Sequence, residues 1–332
     1  MPLSSADLLR DIRAEFTNTY NTQATVSPNL SACMALGITS TKREEHYGYH
    51  ESTPGLERWD RGEDMPEDEI LSKSFSVVNY SFAKAIGFYE DDVEDMQLAG
   101  FREAARRVAT KGKILPERMF FQIMRAAANA QLLQAIPNAP DGAALYAATA
   151  GGAARFGATG GNIVTGSGVA SAAAIRTDFW DVMERFGAFQ DTEGEPLLED
   201  ELDGSIVVVA PRSASEVFTE AFKQERTIQI VENQAGSENV GGAAVSNSIR
   251  AGNLNVKLWF SQRITDNDWS VFIDSPTVPK PIFEQIRQAM RVIEENRNNS
   301  RAARRSKRHA ILADMRAGYG VALPYGTIKV NN

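Results

Sequence analysis

The spacing of apolar residues changes several times along the chain, and each change marks a different kind of element. In residues 5–17, Leu8, Leu9, Ile12 and Phe16 recur at helical intervals behind Ser5, a residue type suited to an N-cap. That helix sits in a polar stretch covering residues 1–45. Further on the period shortens to two. Val78, Tyr80, Phe82, Ile86 and Phe88 share one face of an extended segment, while Asn79, Ser81, Ala83, Ala85 and Gly87 share the other. The preceding HYGYHESTPGLERWDRGEDMPEDE, residues 46–69, is turn-rich and charged. Residues 46–90 therefore read as one long β-excursion. A two-stranded hairpin is marginal in water on its own, so its apolar face needs a surface. The reading puts that surface on a neighbouring molecule and leaves Phe75, Val78 and Phe82 with little cover from their own chain.

Helical spacing returns with Leu98, Phe101, Ala105, Val108, Leu115, Met119, Ile123 and Ala126. Glu90, Asp91, Asp92, Glu94 and Asp95 precede it, where negative charge complements the helix dipole. Gly112 and Pro116 interrupt the apolar stripe without shifting its phase. The pattern fits one kinked helix of about 33 residues, roughly 50 Å long, or two helices with Pro116 in the first turn of the second.

Residues 136–175, dominated by Gly, Ala, Ser and Thr, read as a loosely specified loop region. Residues 177–186 form an amphipathic helix with Phe179, Val182, Met183 and Phe186 inward. SIVVVA, residues 205–210, is a short buried strand, and a helix follows at 215–223. Residues 254–260 and 269–273 read as strands paired with each other around Asp266, Asn267 and Asp268. Residues 309–317 and 321–330 close the chain as strands separated by Gly318 and Gly320. Helices and strands intermix without regular βαβ alternation, which indicates an α+β fold.

At 332 residues the chain can bury one large core or two medium ones. Its 43% apolar and 23% charged content is ordinary for a globular protein. No apolar run approaches the roughly 18 residues of a membrane helix, and the N-terminus lacks the layout of a secretory signal. A single cysteine, Cys33, excludes an internal disulfide framework and suits a reducing cytoplasm. The net charge of -8 opposes nucleic-acid binding by the chain as a whole. Residues 301–309 are the local exception: Arg301, Arg304, Arg305, Lys307 and Arg308 occur there with no acid. Charge alone leaves open whether such a patch meets phosphate or a neighbouring subunit.

Candidates for chemistry are few. His46 and His50 have zinc-like spacing only on a helix, and Gly48 with two tyrosines favours extended structure there. TGSGVAS, residues 165–171, lacks a third glycine and a Walker lysine, and Ser167 does not fit a nucleophile elbow. The acid clusters at 63–69 and 90–95 lack the spaced ligands and central glycine of a calcium loop. Trp59 stands apart from the other tryptophans, because Arg58, Asp60 and Arg61 surround it in the charged excursion. An aromatic in that setting suits an anchor on a neighbouring subunit. No catalytic, cofactor or metal constellation emerges.

Several segments carry a further signal: Tyr47-Gly48-Tyr49 with Pro54-Gly55-Leu56-Glu57-Arg58-Trp59, the run from Phe82 to Phe88 into the acids at 90–95, and Leu115-Pro116-Glu117 with Met119-Phe120. Lys280-Pro281-Ile282-Phe283-Glu284-Gln285 and Arg316-Ala317-Gly318-Tyr319-Gly320 extend it. In this order they resemble the Mu-like prophage major head subunit (gpT-like) family, and through it the tailed-phage capsid fold first described for phage Hong Kong 97. The resemblance implies an N-terminal arm at 1–45 and an extended loop at 46–90. It implies a peripheral domain with a spine helix at 91–135 and 276–332, and an axial domain at 136–275.

It also implies a major capsid protein, not an enzyme, which builds pentamers and hexamers of an icosahedral shell around double-stranded DNA. No cofactor is implied. The implied partners are copies of the chain itself, a separate scaffolding protein, a portal, cement or decoration proteins, and packaged DNA bound without sequence preference; no membrane is involved. The expected location is the virion, after assembly in the host bacterial cytoplasm. On this reading Arg58, Trp59, Arg61, Phe75, Val78 and Phe82 contact other subunits, and Arg301, Arg304, Arg305, Lys307 and Arg308 face DNA or a neighbour. The rival reading is a soluble enzyme that holds a phosphorylated ligand in the Gly-rich loop at 151–168.

Overall fold

Two β-sheets divide the chain, and one helix wedges their cores together. The computed structural model describes residues 5–22, 27–50, 72–89, 91, 98–127, 132, 135–198, 200–223, 226–230, 242–246, 254–295 and 300–332. In chain order the first elements are α1 (Ser5–Thr22), α2 (Leu30–Cys33), β1 (Met34–Thr39), β2 (Glu44–His50), β3 (Ser72–Val78) and β4 (Tyr80–Tyr89). Next come α3 (Leu98–Lys113), α4 (Leu115–Met124), β5 (Thr149–Ala150), β6 (Ala153–Ala154), β7 (Ile163–Thr165), α5 (Ala172–Gly187) and β8 (Ser205–Pro211). The remainder are α6 (Ser215–Lys223), β9 (Arg226–Ile230), β10 (Gly242–Ser246), β11 (Asn255–Ser261), β12 (Trp269–Asp274), β13 (Ile282–Glu295), α7 (Arg301–Ser306), β14 (Arg308–Val321) and β15 (Thr327–Asn331). Among the described residues no helix is long and apolar enough to cross a membrane.

The first sheet has the order β1-β13-β14-β4, with β1 parallel to β13 and the other pairs antiparallel. The 14-residue strands β13 and β14 make a ribbon roughly 46 Å long at 3.3 Å per residue. Phe88, Ile311 and Ala313 on one face pack under α1 and α3, against Leu9, Ile12 and Phe16 and against Ala105 and Ala109. Leu9, Ile12 and Phe16 are each 1% exposed, so the helix within the expected arm is anchored on its own chain. Each such side chain contributes roughly 1.5–3 kcal/mol by burial. Arg102–Asp11 and Arg106–Glu15 ion pairs flank the contact at 2.8 and 2.6 Å.

The segment expected to form a spine is two helices, α3 and α4. The break falls at Ile114, and Pro116 lies in the first turn of α4, where its missing N–H costs nothing. The uninterrupted 33-residue helix is therefore not formed. Gly112 lets α3 approach β13, since a Cβ there would sit 2.6 Å from Met290 Cε.

The second sheet has the order β11-β8-β12-β15-β7. β11 and β12 are not paired with each other; each pairs with β8, in parallel and antiparallel fashion respectively. The reason lies in β8. Ile206, Val207, Val208, Val209 and Ala210 are all 0% exposed, so this strand is apolar on both faces and takes the centre of the sheet. Phe179, Val182 and Phe186 of α5 and Phe218 of α6 cover one face. α4 covers the other: Phe120 lies 5.4 Å from Trp259 and 5.6 Å from Phe272. Met119, Phe120 and Phe121 share one cluster with Val207 and Val209 of the second sheet and with Met315, Ala317 and Val321 of the first.

Gly318 and Gly320 do not end a strand, because β14 runs through both. They are sites of close approach: an added Cβ would meet Gln285 Nε2 at 2.6 Å from Gly318 and the Phe283 ring at 2.7 Å from Gly320. β15 then crosses into the second sheet, so residues 327–331 sit with the segment expected to be axial rather than with 276–326.

The loop region at 136–175 is also tightly specified. Arg155, 2% exposed, donates to both carboxylate oxygens of Asp141 at 2.6 and 3.0 Å and to the carbonyls of Ala144 and Leu145 at 2.9 Å. Asn162, 0% exposed, donates to the same Leu145 carbonyl at 2.8 Å.

Candidate functional site: the base of the extended hairpin and the basic turn

β2 and β3 pair as an antiparallel ladder from Glu44↔Val78 to His50↔Ser72. A polar joint holds its base. Gln285 of β13, 0% exposed, accepts from the Tyr47 hydroxyl at 2.7 Å. Its amide donates to the Val77 carbonyl at 3.0 Å and to Asn79 Oδ1 at 3.1 Å. Asn79, between β3 and β4, donates in turn to Ser40 Oγ at 2.7 Å and to the Lys42 carbonyl at 2.8 Å. Glu45 accepts from the backbone N–H groups of Thr41 and Lys42 at 2.8 and 2.9 Å and from the Ser40 hydroxyl at 3.1 Å. Those backbone hydrogen bonds hold its carboxyl below the usual range. Tyr47 stacks on Phe75 with ring centres 5.5 Å apart and meets Phe283 edge-on at 5.3 Å. Both legs of the hairpin are thereby referred to one buried amide, and the arrangement fixes the hairpin's angle to the sheet.

Phe75, Val78 and Phe82 are half-buried by their own chain, contrary to the expected lack of cover. Phe75 packs on Tyr47 and Phe283, and Phe82 meets Tyr319 edge-on at 6.2 Å. The cause is β4 pairing with β14, which turns Phe82, Ile86 and Phe88 towards the helices. Tyr80 and Tyr89 stay open at 45% and 52% exposure. Trp59, Arg58 and Arg61 lie outside the described residues.

The basic run forms the turn at the far end of the β13–β14 ribbon. Ser300 caps α7 by accepting from the Ala303 N–H at 3.3 Å and hydrogen-bonds Glu295; Lys307, in the left-handed region at φ 52°, ends the helix. Ala303 is buried, while Arg301, Arg304, Arg305, Lys307 and Arg308 are exposed. Among the described residues none of the five is in a salt bridge with an acid. Glu295 lies ten strand steps beyond Gln285, so the joint and the basic turn are roughly 33 Å apart.

At residues 166–168 the Gly-rich loop spends its N–H groups on its own chain. The N–H of Gly166 goes to the Asn331 carbonyl at 2.9 Å, and that of Gly168 to Asn332 Oδ1 at 3.1 Å. Ser167 N–H goes to both oxygens of the buried Asp178, at 3.0 and 2.9 Å. At Ser167 a carboxylate already takes the N–H a phosphate would need, so this part of the loop gives the rival reading no support. His46 and His50 fall on a strand, so their backbones are about 13 Å apart.

Gln285, Asn79 and Glu45 were not singled out from the sequence. Their signal was faint: Asn79 is a lone amide among apolar and small residues, and Gln285 stands among Glu284, Arg287 and Gln288 as if on an ordinary polar strand.

The architecture is similar to that of the Myoviridae phage XM1 capsid, with TM-score 0.54, 11% identity and 93% of each chain covered. The cyanophage P-SCSP1u capsid matches at TM-score 0.53 and 10% identity over 92% of this chain and 88% of that one. The capsid of an empty GTA particle matches at TM-score 0.53 and 10% identity over 95% and 97%. No curated protein shows a significant sequence match. The fold is that of tailed-phage capsid proteins, the α+β class of the Hong Kong 97 type. Within that class, residues 7–134, which contain β2, β3 and β4 and the helices α3 and α4, match the family model of the Mu-like prophage major head subunit gpT.

Proposed function

We propose that this chain is a major capsid (head) protein, which self-assembles into pentamers and hexamers of an icosahedral shell enclosing phage double-stranded DNA. One observation carries the reading: the head-subunit match covers the segment that holds the braced β2–β3 ladder on a capsid-fold body. The work is geometric rather than catalytic. Weak contacts repeated over many copies close a shell, and the hairpin adds area beyond each compact body. Scaffolding comes from a separate protein, and portal, decoration proteins and DNA complete the particle in the host bacterial cytoplasm. Arg58, Trp59 and Arg61 supply hairpin contacts, and the five cations at 301–308 face DNA or a neighbour.

Expression of the chain with and without its scaffolding partner, followed by sedimentation and electron microscopy, tests this. Closed shells are expected with the partner. A chain that stays monomeric in every combination would overturn the reading, and native-size shells from the chain alone would remove the separate scaffold. Charge reversal at Arg304 and Arg305 is expected to alter assembly or the length of packaged DNA; no change in either would remove the basic patch from the account.

A further inference from the structure

β13 is covered unevenly along its length. β1 lies beside it only as far as Ile286, and beyond that point no described strand pairs with it on the β1 side. Two register shifts against β14, between Ile286 and Arg291, break the line of the open edge; from Arg291 to Glu295 the ladder is regular. Every second residue of an antiparallel edge strand aims its N–H and C=O away from its one partner, so this stretch presents unpaired backbone groups in the plane of the sheet. α1 lies over one face, the face that carries Met290 and Val292, where Arg13 reaches Glu294 at 3.2 Å. Arg291, Ile293 and Glu295 alternate to the other face. There an apolar row crosses the sheet from Ala85 through Leu312 to Ile293 and stops at the edge, with Ile293 41% exposed. The neighbouring row runs from Ala83 through Asp314 to Arg291, which donates to Asp314 at 2.7 and 2.9 Å.

We propose that residues 291–295 pair edge to edge with the same residues of a second copy, antiparallel about a twofold axis at Ile293. The sequence Arg-Val-Ile-Glu-Glu is self-complementary in that register. Arg291 faces Glu295 of the second copy and Glu295 faces its Arg291, with Cβ atoms about 4.5–5.5 Å apart, while the two Ile293 side chains meet on the axis. The apolar row then continues from one sheet into the next, and the ionic row gains an acid beyond Arg291. Moving the axis to Arg291 or Glu294 sets like charges opposite each other, and moving it to Val292 sets Arg291 against Ile293. A twofold contact is isologous, so one short pattern supplies both sides. The other open edges of the two large sheets lack such a pattern: β4 and β11 carry one charge each, Lys84 and Lys257, and β1 and β7 carry none. The inference rests on the shell reading, because it needs copies that assemble.

Ile293→Cys reads the axis directly, since a residue on a twofold axis meets its own copy. Ile293 is exposed, and Cys33, the one natural thiol, is buried. Assembled particles are oxidised mildly and run on a non-reducing denaturing gel. Ile293→Cys is expected to give a dimer band at least about tenfold stronger than Ala289→Cys, whose two copies the register holds about 26 Å apart. No dimer from Ile293→Cys, or as much from Ala289→Cys, overturns the proposal. The charges supply a second test in a chain with no added cysteine. Arg291→Glu and Glu295→Arg are each expected to raise the protein concentration needed for assembly by on the order of tenfold, because like charges then face each other. Circular dichroism checks that both variants fold. Mixing the two should restore assembly, since every edge pair between them again sets Arg against Glu. Wild-type-like assembly by either variant alone, or no recovery on mixing, overturns the pairing. Failure of the unaltered chain to assemble would instead count against the shell reading itself.

Discussion

Gln285 shows how one amide can organise a large feature. Replacement by Leu would strand the Val77 carbonyl, the Asn79 amide oxygen and the Tyr47 hydroxyl. Leaving buried polar groups unpaired costs about 1–3 kcal/mol each before relaxation. Gln285→Leu is therefore expected to lower stability by on the order of 2–3 kcal/mol in urea unfolding, and to speed hydrogen exchange of the β2 and β3 amides. Unchanged exchange there would refute the joint's role.

Glu284, next to it, makes an opposite prediction. Burial pushes its carboxyl up from the ordinary value, against the Tyr319 hydroxyl that donates at 2.8 Å and the Gly37 N–H. With its pKa raised by folding, Glu284 favours the native state only when protonated. Its contribution is complete below the unfolded value near 4.5 and is lost as pH rises through the folded value. Glu284→Gln should thus raise the melting temperature at pH 7, with the gain vanishing near pH 4. A loss at pH 7 would show that the charged form is the stabilising one.

At the scale of elements, the sequence was most legible where one period ran uninterrupted. α1, α5, α6 and β8 follow directly from apolar spacing. β4 follows as an element too, although the surface that covers it does not. Pairing was hidden because strand patterns do not name partners: β11 and β12 are apolar, close in sequence and separated by a turn, yet β8 lies between them. The 14-residue β13 was missed for another reason. Its shifts of register against β14 break the alternation near Gln288. Glycine misled at Gly318 and Gly320, where the missing side chain makes room across the sheet rather than a break.

Two of these glycines can be compared directly. Gly112→Ala would push only on the flexible end of Met290 and adds helix propensity worth about 1 kcal/mol, so little net change is expected. Gly320→Ala meets a rigid phenyl ring and Val77, and should cost about 1–3 kcal/mol. Equal melting temperatures for the two variants would contradict this contrast.

Over the whole molecule, α4 decides whether the two sheets behave as one body. Phe120 touches Trp259 and Phe272 and is 0% exposed. Phe120→Ala should cost about 3–5 kcal/mol, with both sheets lost in the same unfolding transition. A variant in which one sheet melts well before the other would show that the wedge is dispensable. This union was not legible beforehand. The sequence places residues 136–275 and 276–332 in separate territories, and the crossover of β15 follows from no local pattern.

The β13–β14 ribbon has a mechanical consequence. The hairpin root and the cationic turn sit near its two ends, on strands that run the whole way between them and shift register only near Gln288. Rocking such a stiff bar by five degrees about one end displaces the other by about 3 Å over its ~33 Å span. A tilt applied at the hairpin root is therefore carried along the ribbon towards Arg304 and Arg305.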